Sequence, residues 1–191
     1  MRKYFILCLF VLAVLNVSAQ SFEYDIILFG KSIGKGEASV KQIAGGQVQY
    51  KLYTQAEANV MFKNRTSLTD INLSFDAKTL TSCNLMREKD GDIQQVEIIY
   101  EGGRHYYIEN EKKLPVQKRI TYTTTQLFFE EPAGVDEVYV ERLNVFVPIQ
   151  YEGDGVYKTV IEGGDNYYHY ENGILVEFRL KKGVNIYMKK V

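Results

Sequence analysis

The most constraining feature of the sequence is a run of residues from Val48 to Phe62 in which hydrophobicity alternates with a period of two. Its even positions are apolar or small, whereas its odd positions are mainly Gln, Lys, Glu and Asn. Alternation of this kind is typical of a β-strand with one buried face, because successive side chains point to opposite sides of a sheet. A straight strand of this length would span roughly 50 Å, well beyond a usual strand. We therefore predict a curved strand in a barrel or half-barrel, bent at the small residues Ala56 and Ala58.

Similar alternating runs recur along the rest of the chain and are separated by pairs of turn-forming residues. These pairs are Gly45-Gly46, Asp90-Gly91, Gly102-Gly103, Gly163-Gly164 and Asn172-Gly173. They favour tight hairpins, because such turns need residues that accept a positive φ. Tight turns at short spacing join antiparallel neighbours, and no helical pattern separates the strands. We therefore predict an all-β fold, a single antiparallel open barrel or half-barrel of about ten to twelve strands.

One segment interrupts the alternation, and we predict that it forms a short helix over residues Thr124–Glu131. A threonine could cap its first turn, and Pro132 would end it. Because one or two turns of helix are not stable alone in water, we expect the helix to pack into the concave face of the sheet. Its apolar residues Leu127, Phe128 and Phe129 are therefore the predicted ligand-binding residues.

Residues 1–19 have the organisation of a secretory signal peptide, with two basic residues, an apolar run and small residues ending at Ala19. We expect cleavage before Gln20, which leaves a single domain over residues 20–191 in the periplasm or outside the cell. The apolar run is shorter than the roughly 20 residues of a spanning helix, and no second long run follows. We therefore expect no transmembrane segment in the mature chain. Cys8 lies inside the apolar run rather than at the cleavage point, which argues against a lipid anchor.

The charge balance and the reactive residues exclude several functions. Lys and Arg number 23 and Asp and Glu 24, and the basic residues form no block, which argues against nucleic acid as a partner. We interpret His105 and His169 as exposed strand residues and expect no metal site and no cofactor. Cys83 is expected to be a buried structural thiol. The sequence has no Gly-x-Ser-x-Gly motif, and we predict no catalytic residue, although a hydrolase with paired carboxylates stays open.

Several stretches of the sequence together resemble one family of proteins. They are Phe22-Glu23-Tyr24-Asp25-Ile26, Gly34-Lys35-Gly36-Glu37-Ala38, residues 125–132, and residues 166–175 with Asn166-Tyr167-Tyr168 and Asn172-Gly173-Ile174-Leu175. The chain resembles an uncharacterised family of secreted β-proteins known as a domain of unknown function. The Ala19-Gln20 junction resembles those of proteins exported by Bacteroidota. The resemblance implies an open, strongly curved antiparallel sheet around a short helix, loosely similar to the lipoprotein carriers LolA and LolB, and implies no particular catalytic or binding residue.

These sequence features favour two functions. The first is a non-enzymatic periplasmic binding or carrier protein for a lipid or other hydrophobic small molecule, with a cavity beside Phe128 and Phe129. The second is a cell-envelope module that binds a protein or a glycan. It would use the sheet edges or the tyrosines at residues 106–107 and 167–170. The first function predicts a cavity inside the sheet, whereas the second predicts a filled core.

Overall fold

The computed structural model describes residues 19–43, 45–60 and 62–191, so the predicted signal peptide lies outside the described residues except for Ala19. Within these ranges, fourteen β-strands form one antiparallel sheet, and a single 3-10 turn, Gln126–Phe128, is the sole helical element. The strands are β1 (Ala19–Leu28), β2 (Lys31–Gln42), β3 (Gln47–Val60), β4 (Lys63–Asp76), β5 (Thr79–Lys89), β6 (Asp92–Glu101), β7 (Arg104–Glu109), β8 (Lys112–Pro115), β9 (Glu137–Val140), β10 (Val145–Gly153), β11 (Val156–Ile161), β12 (Gly164–Glu171), β13 (Ile174–Lys182) and β14 (Val184–Lys190). The predicted all-β, open antiparallel fold is confirmed.

The strands follow one another in space almost as they do in sequence. Their order is β8-β7-β6-β5-β4-β3-β2-β1-β14-β13-β12-β11-β10-β9, so β1 pairs with β14 and the sheet edges are β8 and β9. Because neighbouring strands are antiparallel, alternate turns lie at the same end of the sheet. The turns after β1, β3, β5, β7, β9, β11 and β13 lie at one end, which we call the open end. The remaining turns lie at the opposite end.

The long alternating run forms β3, which pairs with β4 along its entire length from Gln47 to Val60. On its other side Gly34 lies opposite Ala56, where the two backbones approach closely. A Cβ atom at position 34 would lie 2.1 Å from the carbonyl oxygen of Gln55. Glycine is therefore required where β2 and β3 meet at Ala56, one of the two positions at which the sequence predicts a bend.

Fourteen strands exceed the predicted ten to twelve, and two short strands on either side of the predicted helix account for the difference. β8 and β9 are each four residues long and flank the segment between them. They are too short to show alternation, and they become strands through their pairing with β7 and β10. Each pairs with the adjacent strand of its own hairpin, so these strands are recognised by their hydrogen bonds and not by a sequence pattern.

The chain between β8 and β9, residues 116–136, runs along the concave side of the sheet, and we call it the plug segment. Its backbone bonds to strands on both halves of the sheet. The Val116 N–H donates to the carbonyl of His105 (2.9 Å), and the Thr124 N–H donates to the carbonyl of Tyr139 (2.9 Å). The second bond, with the parallel bridge between Thr123 and Tyr139, covers the free edge of β9. Paired edges do not recruit other chains, so the plug segment protects this edge from aggregation.

The predicted helix over Thr124–Glu131 is reduced to the 3-10 turn Gln126–Phe128. The side chain of Thr125 makes no capping hydrogen bond, and the backbone instead follows the bonds that the surrounding strands offer. The turn does pack into the concave face as predicted, since Gln126, Leu127 and Phe128 are all buried. Long-range contacts have replaced the intrahelical bonds on which the prediction depended.

Inward-facing side chains from both halves of the sheet form a continuous core with the plug segment. Cys83 is buried in this core as predicted. Its burial raises the pKa of its thiol, and the nearby charge of Glu141 raises it further.

The prediction that His105 is an exposed strand residue is wrong, because its side chain is only 2 % exposed. Its Nε2 lies 2.8 Å from the carbonyl of Leu80, and its Nδ1 accepts the Ile120 N–H at 3.3 Å. His105 therefore helps to hold the plug segment.

Side-chain contacts close the gap between the two edges of the sheet at the open end. The Gln94 amide on β6 and the Tyr107 hydroxyl on β7 both donate to the carbonyl of Arg142, each at 3.2 Å. Arg142 lies in the turn between β9 and β10. The two halves of the sheet therefore meet, and the sheet has the shape of an incompletely hydrogen-bonded barrel.

Candidate ligand-binding site

Tyrosines on the inner face of the sheet hold the plug segment in the barrel. The Tyr170 hydroxyl donates to the carbonyl of Leu127 at 2.5 Å, and the Tyr24 hydroxyl donates to the carbonyl of Phe128 at 3.3 Å. Burial raises the pKa of both hydroxyls, so they remain protonated donors over the physiological range. These two bonds satisfy carbonyls that the short 3-10 turn leaves free.

A buried carboxylate fixes the start of the same turn. Glu141 is 1 % exposed and accepts hydrogen bonds from the Thr124 hydroxyl and, at 3.0 Å, from the Thr125 N–H. A buried carboxylate is stable only when its oxygens are hydrogen-bonded. Glu141 therefore ties the plug segment to the β9–β10 turn and sets the height at which Phe128 lies in the barrel.

Above the plug segment, the barrel contains an open cavity of about 580 Å³. We call it the apolar cavity, because aliphatic and aromatic side chains dominate its wall on β1, β2, β13 and β14. These side chains are Ile26, Leu28, Ile33, Phe178, Leu180, Val184, Ile186 and Met188. Its volume lies within the roughly 300–1,000 Å³ of ordinary ligand pockets.

A second cavity of about 340 Å³ adjoins the first and is more polar. We call it the polar cavity; Phe128, Thr125 and Glu141 form part of its lining. The two cavities share Arg87, Lys89, Phe178 and Leu180, so they meet at these side chains. The buried Thr125 hydroxyl has no hydrogen-bond partner among the described residues, which leaves a free polar group at this lining.

Positive charge is concentrated where the two cavities meet. Arg87, Lys89 and Lys182 line the cavities and form no ion pair with any described residue. Burial, and secondly the neighbouring charge of Arg142, lower the pKa of the Arg87 guanidinium, while the charge of Glu162 acts in the opposite direction. Arg142 itself pairs with Glu162 at 2.7 Å, an interaction that lowers the pKa of that carboxyl. An anion beside Arg87 would relieve the repulsion between the two guanidinium groups.

The three residues that the sequence predicts for ligand binding occupy different surroundings. Leu127 is fully buried within the core, beneath the cavities. Phe128 lines the polar cavity and contacts the rings of Phe178 and Tyr24, with centroids 5.7 and 6.0 Å away. Phe129 is half-buried and packs on Tyr50 at 5.1 Å, outside both cavities. A binding role for all three stays a prediction, and Phe128 alone of them borders the cavities among the described residues.

Sequence reasoning missed Arg87, although a signal for it was present. On β5 the inward-facing row is Cys83, Leu85, Arg87 and Lys89, so two cations occupy positions that the alternation assigns to the buried face. Charged residues are rarely placed on an inner face without a partner. A cation on the inner face next to apolar residues therefore makes Arg87 a candidate binding residue.

Three of the five tyrosines predicted to bind a partner are buried inside the barrel. Tyr107, Tyr168 and Tyr170 are buried in the core. Tyr106 and Tyr167 lie on the outer face, where Lys113 stacks over the first at 4.3 Å and Arg179 over the second at 4.8 Å. Most of the tyrosine excess thus builds the core and holds the plug segment.

The described residues contain no cluster of three His, Cys, Asp or Glu side chains that could hold a metal ion. Among the same residues, none of the helical structure is long and apolar enough to cross a membrane. His169 lies in β12, whereas His105 lies in β7 and accepts a hydrogen bond from the plug segment, so the two histidines belong to different strands.

Two solved structures are similar to this chain to different degrees. One is a crystal structure of a β-barrel-like protein of domain of unknown function DUF1849 from Brucella abortus, with a TM-score of 0.59 at 11% identity. The similarity covers 92% of this chain and 96% of that one. The other is a DUF1089 family protein from Pseudomonas aeruginosa, with a TM-score of 0.46 and 12% identity, over 81% of this chain and 91% of that one. The first likeness shows a shared barrel-like fold.

The curated proteins provide no match to this sequence. A family profile does match, over residues 24–190, which spans the sheet from within β1 to the end of β14. The match includes the plug segment and every residue named above as lining the two cavities. The chain therefore belongs to the family described as Domain of unknown function (DUF6134).

Proposed function

We propose that the protein is a non-enzymatic binding or carrier protein for an amphipathic lipid with an acidic head group. The observation that carries this proposal is the apolar cavity of about 580 Å³, which opens at one end of the barrel beside a group of unpaired cations. An apolar ligand would gain free energy by burial against Leu180, Val184 and Ile186, because these side chains of the wall are otherwise partly exposed to water. The proposal follows the expectation from the sequence that the chain is loosely similar to the carriers LolA and LolB.

The head group would lie at Arg87, which borders both cavities. A guanidinium binds carboxylate or phosphate oxygens through two parallel hydrogen bonds, and the half-buried position strengthens such bonds. An acyl chain would then extend from Arg87 along the apolar wall on β13 and β14. Carboxylate and phosphate head groups share this chemistry.

We further propose that the protein acts after export, in the periplasm or outside the cell, in an organism of the Bacteroidota type. The support is the signal peptide-like organisation of residues 1–19 and the Ala19-Gln20 junction. A binding protein in this location would shield an acyl chain from water between two membranes or between a membrane and an enzyme.

The first test is native mass spectrometry of the protein purified from its own envelope, followed by extraction of bound lipid. The second is a titration of the purified protein with palmitate and with hexadecanol, which has the same chain length but no charge. We expect palmitate to bind more tightly. Arg87→Gln should weaken palmitate binding by roughly 10–100-fold, because a charge-assisted hydrogen bond is lost, and should leave hexadecanol binding nearly unchanged.

A matched pair of variants separates the cavity from general stability. Ile186→Ser places a hydroxyl in the apolar wall and should weaken binding of both probes. Ile174→Ser makes the same change at a half-buried core position near the opposite end, outside the cavity lining, and should leave binding intact. Equal loss in both variants, or binding of neither probe by the folded wild type, would refute the carrier function.

A further inference from the structure

The turns at the open end carry exposed apolar side chains. Phe29 lies in the turn after β1 and is 71 % exposed, and Phe62, in the turn after β3, is fully exposed. Two further apolar side chains near turns of this end are also exposed: Ile93, the second residue of β6, and Val184, the first residue of β14. We call residues 29–31, 62–63, 89–93 and 181–184 the rim. An exposed apolar side chain at one turn is ordinary, whereas several around one opening indicate an interaction surface.

The backbone at two of these positions makes the choice of phenylalanine unusual. Phe29 has a φ of 50° and Phe62 a φ of 64°, in the left-handed region that favours glycine and asparagine. At the opposite end, the turns present smaller or polar residues. They are Gly45-Gly46, Ala77-Lys78, Gly102-Gly103, Asp154-Gly155 and Asn172-Gly173. Two bulky aromatic residues are therefore held at strained and exposed positions at one end, where folding gains nothing from them.

Lysines accompany the apolar side chains of the rim. Lys31, Lys63 and Lys182 are exposed and form no ion pair with any described residue. The rim also contains Lys89 and Lys181, against two carboxylates, Asp90 and Asp92. Asp90 is paired with Arg65, and Glu162 of another turn at this end is paired with Arg142. At the opposite end the turns are flanked by Asp76, Glu101, Asp154 and Glu171, together with Lys78 and Arg104, and Glu101 is paired with Lys113. The rim is therefore the more positive end of a chain whose formal net charge is −1.

We propose that the rim docks onto the surface of an anionic lipid bilayer, with Phe29 and Phe62 inserted among the head groups. Aromatic rings on an apolar protrusion partition into the membrane interface, and unpaired lysines next to them are attracted to anionic lipid. The acidic opposite end would face away from the bilayer. Charge complementarity and the position of the two phenylalanines favour a bilayer over a protein partner.

The rim surrounds the mouth of the apolar cavity, so docking would place the cavity directly on the membrane. Phe29 follows the cavity-lining Leu28, and the rim residue Val184 itself lines the cavity. A lipid could thus pass between the bilayer and the barrel without crossing water. The docking surface stands on the rim side chains and does not depend on the proposed ligand.

The test is flotation of the chain from Ala19 onwards with vesicles of phosphatidylcholine alone and vesicles of phosphatidylcholine with phosphatidylglycerol. This chain contains every described strand and the whole described core, and it lacks the apolar run of residues 1–18, which could itself insert. We expect binding to the anionic vesicles and weaker binding at high salt, because salt screens the lysines.

The key variant is the double substitution Phe29→Asn and Phe62→Asn. Asparagine tolerates a positive φ, so the fold should be retained or stabilised while vesicle binding falls roughly tenfold or more. The control is Tyr151→Asn, which removes an aromatic side chain that is 62 % exposed near the opposite end and should leave binding unchanged. Lys31→Gln, Lys63→Gln and Lys182→Gln should each reduce binding to anionic vesicles roughly fivefold, and Lys78→Gln should not.

Three outcomes would overturn the proposal. They are a wild-type protein that ignores anionic vesicles, equal losses in the rim and control variants, and capture of an envelope protein through Phe29 and Phe62 without vesicle binding. The docking proposal and the proposed ligand binding can also be refuted independently of each other. The Phe29→Asn, Phe62→Asn variant should still bind palmitate in solution, and Ile186→Ser should still bind vesicles.

Discussion

The most informative single substitution is Phe128→Ala, because this side chain is at once a core residue and the floor of the polar cavity. Its ring contacts those of Tyr24, Tyr168 and Phe178, with centroids 6.0, 6.4 and 5.7 Å away. Loss of the buried ring removes about 2 kcal/mol of transfer free energy. The lost aromatic contacts and the added empty volume raise the expected loss of stability to about 3 kcal/mol. This loss is at the low end of the range for buried Phe→Ala substitutions, because the ring already borders an open cavity.

The measurement is the free energy of unfolding in urea, with Phe129→Ala as the matched control. Phe129 is only half-buried and has one close aromatic partner, Tyr50, so its loss should cost about 1.5 kcal/mol. In the palmitate titration, Phe128→Ala should change affinity while Phe129→Ala should not, since only the former lines a cavity. Equal stability losses in the two variants, or a loss below about 1 kcal/mol for Phe128→Ala, would refute this description of the plug segment.

Three further predictions concern the contacts that hold the barrel and the plug segment together. Tyr170→Phe leaves the buried Leu127 carbonyl without its donor and should cost about 1–3 kcal/mol in urea unfolding, more than Tyr24→Phe, whose bond is longer. Gly34→Val forces a side chain against the Gln55 carbonyl and should cost at least about 2 kcal/mol or prevent folding, whereas a substitution at the open Gly173 should show no such steric clash. Burial, and secondly the charge of Arg119, lower the pKa of His105 in the folded protein. The unfolded histidine therefore takes up a proton first as pH falls, so the free energy of unfolding should decrease below about pH 6.5. His105→Gln should remove this dependence of stability on pH.

The pH prediction can be separated from the titration of carboxylates. The pKa of Glu162 is lowered by its bond to Arg142, so its contribution is present above the ordinary glutamate value of about 4.3 and is lost as pH falls below it. The histidine effect occurs at higher pH. A wild-type slope between about pH 7 and 5 that persists in His105→Gln would show that another group is responsible.

Much of the architecture could be predicted from the sequence because it follows from local periodicity. The alternation from Val48 onwards predicts β3, and the Asp90-Gly91 and Asn172-Gly173 pairs mark hairpins that the structure contains. These features need only that side chains alternate across a strand and that tight turns need a positive φ.

The site depends on contacts between residues far apart in the sequence. The plug segment takes its conformation from Tyr24, Glu141 and Tyr170, and these distant partners turn a predicted helix into a 3-10 turn. The cavity likewise exists because the sheet curves until Arg87 faces Phe178 across the barrel, where both line the same space.

The sequence by itself thus determined an all-β chain of alternating strands and tight turns, together with the expectation of export. Only the tertiary structure decided that β1 pairs with β14, that His105 is buried, and that Phe29 and Phe62 lie at the same end as the unpaired cations. The physical reason is that strand propensity and turn geometry act between neighbours in the chain. Strand pairing, side-chain burial and the position of charges are set by which surfaces meet when the whole sheet closes around the plug segment.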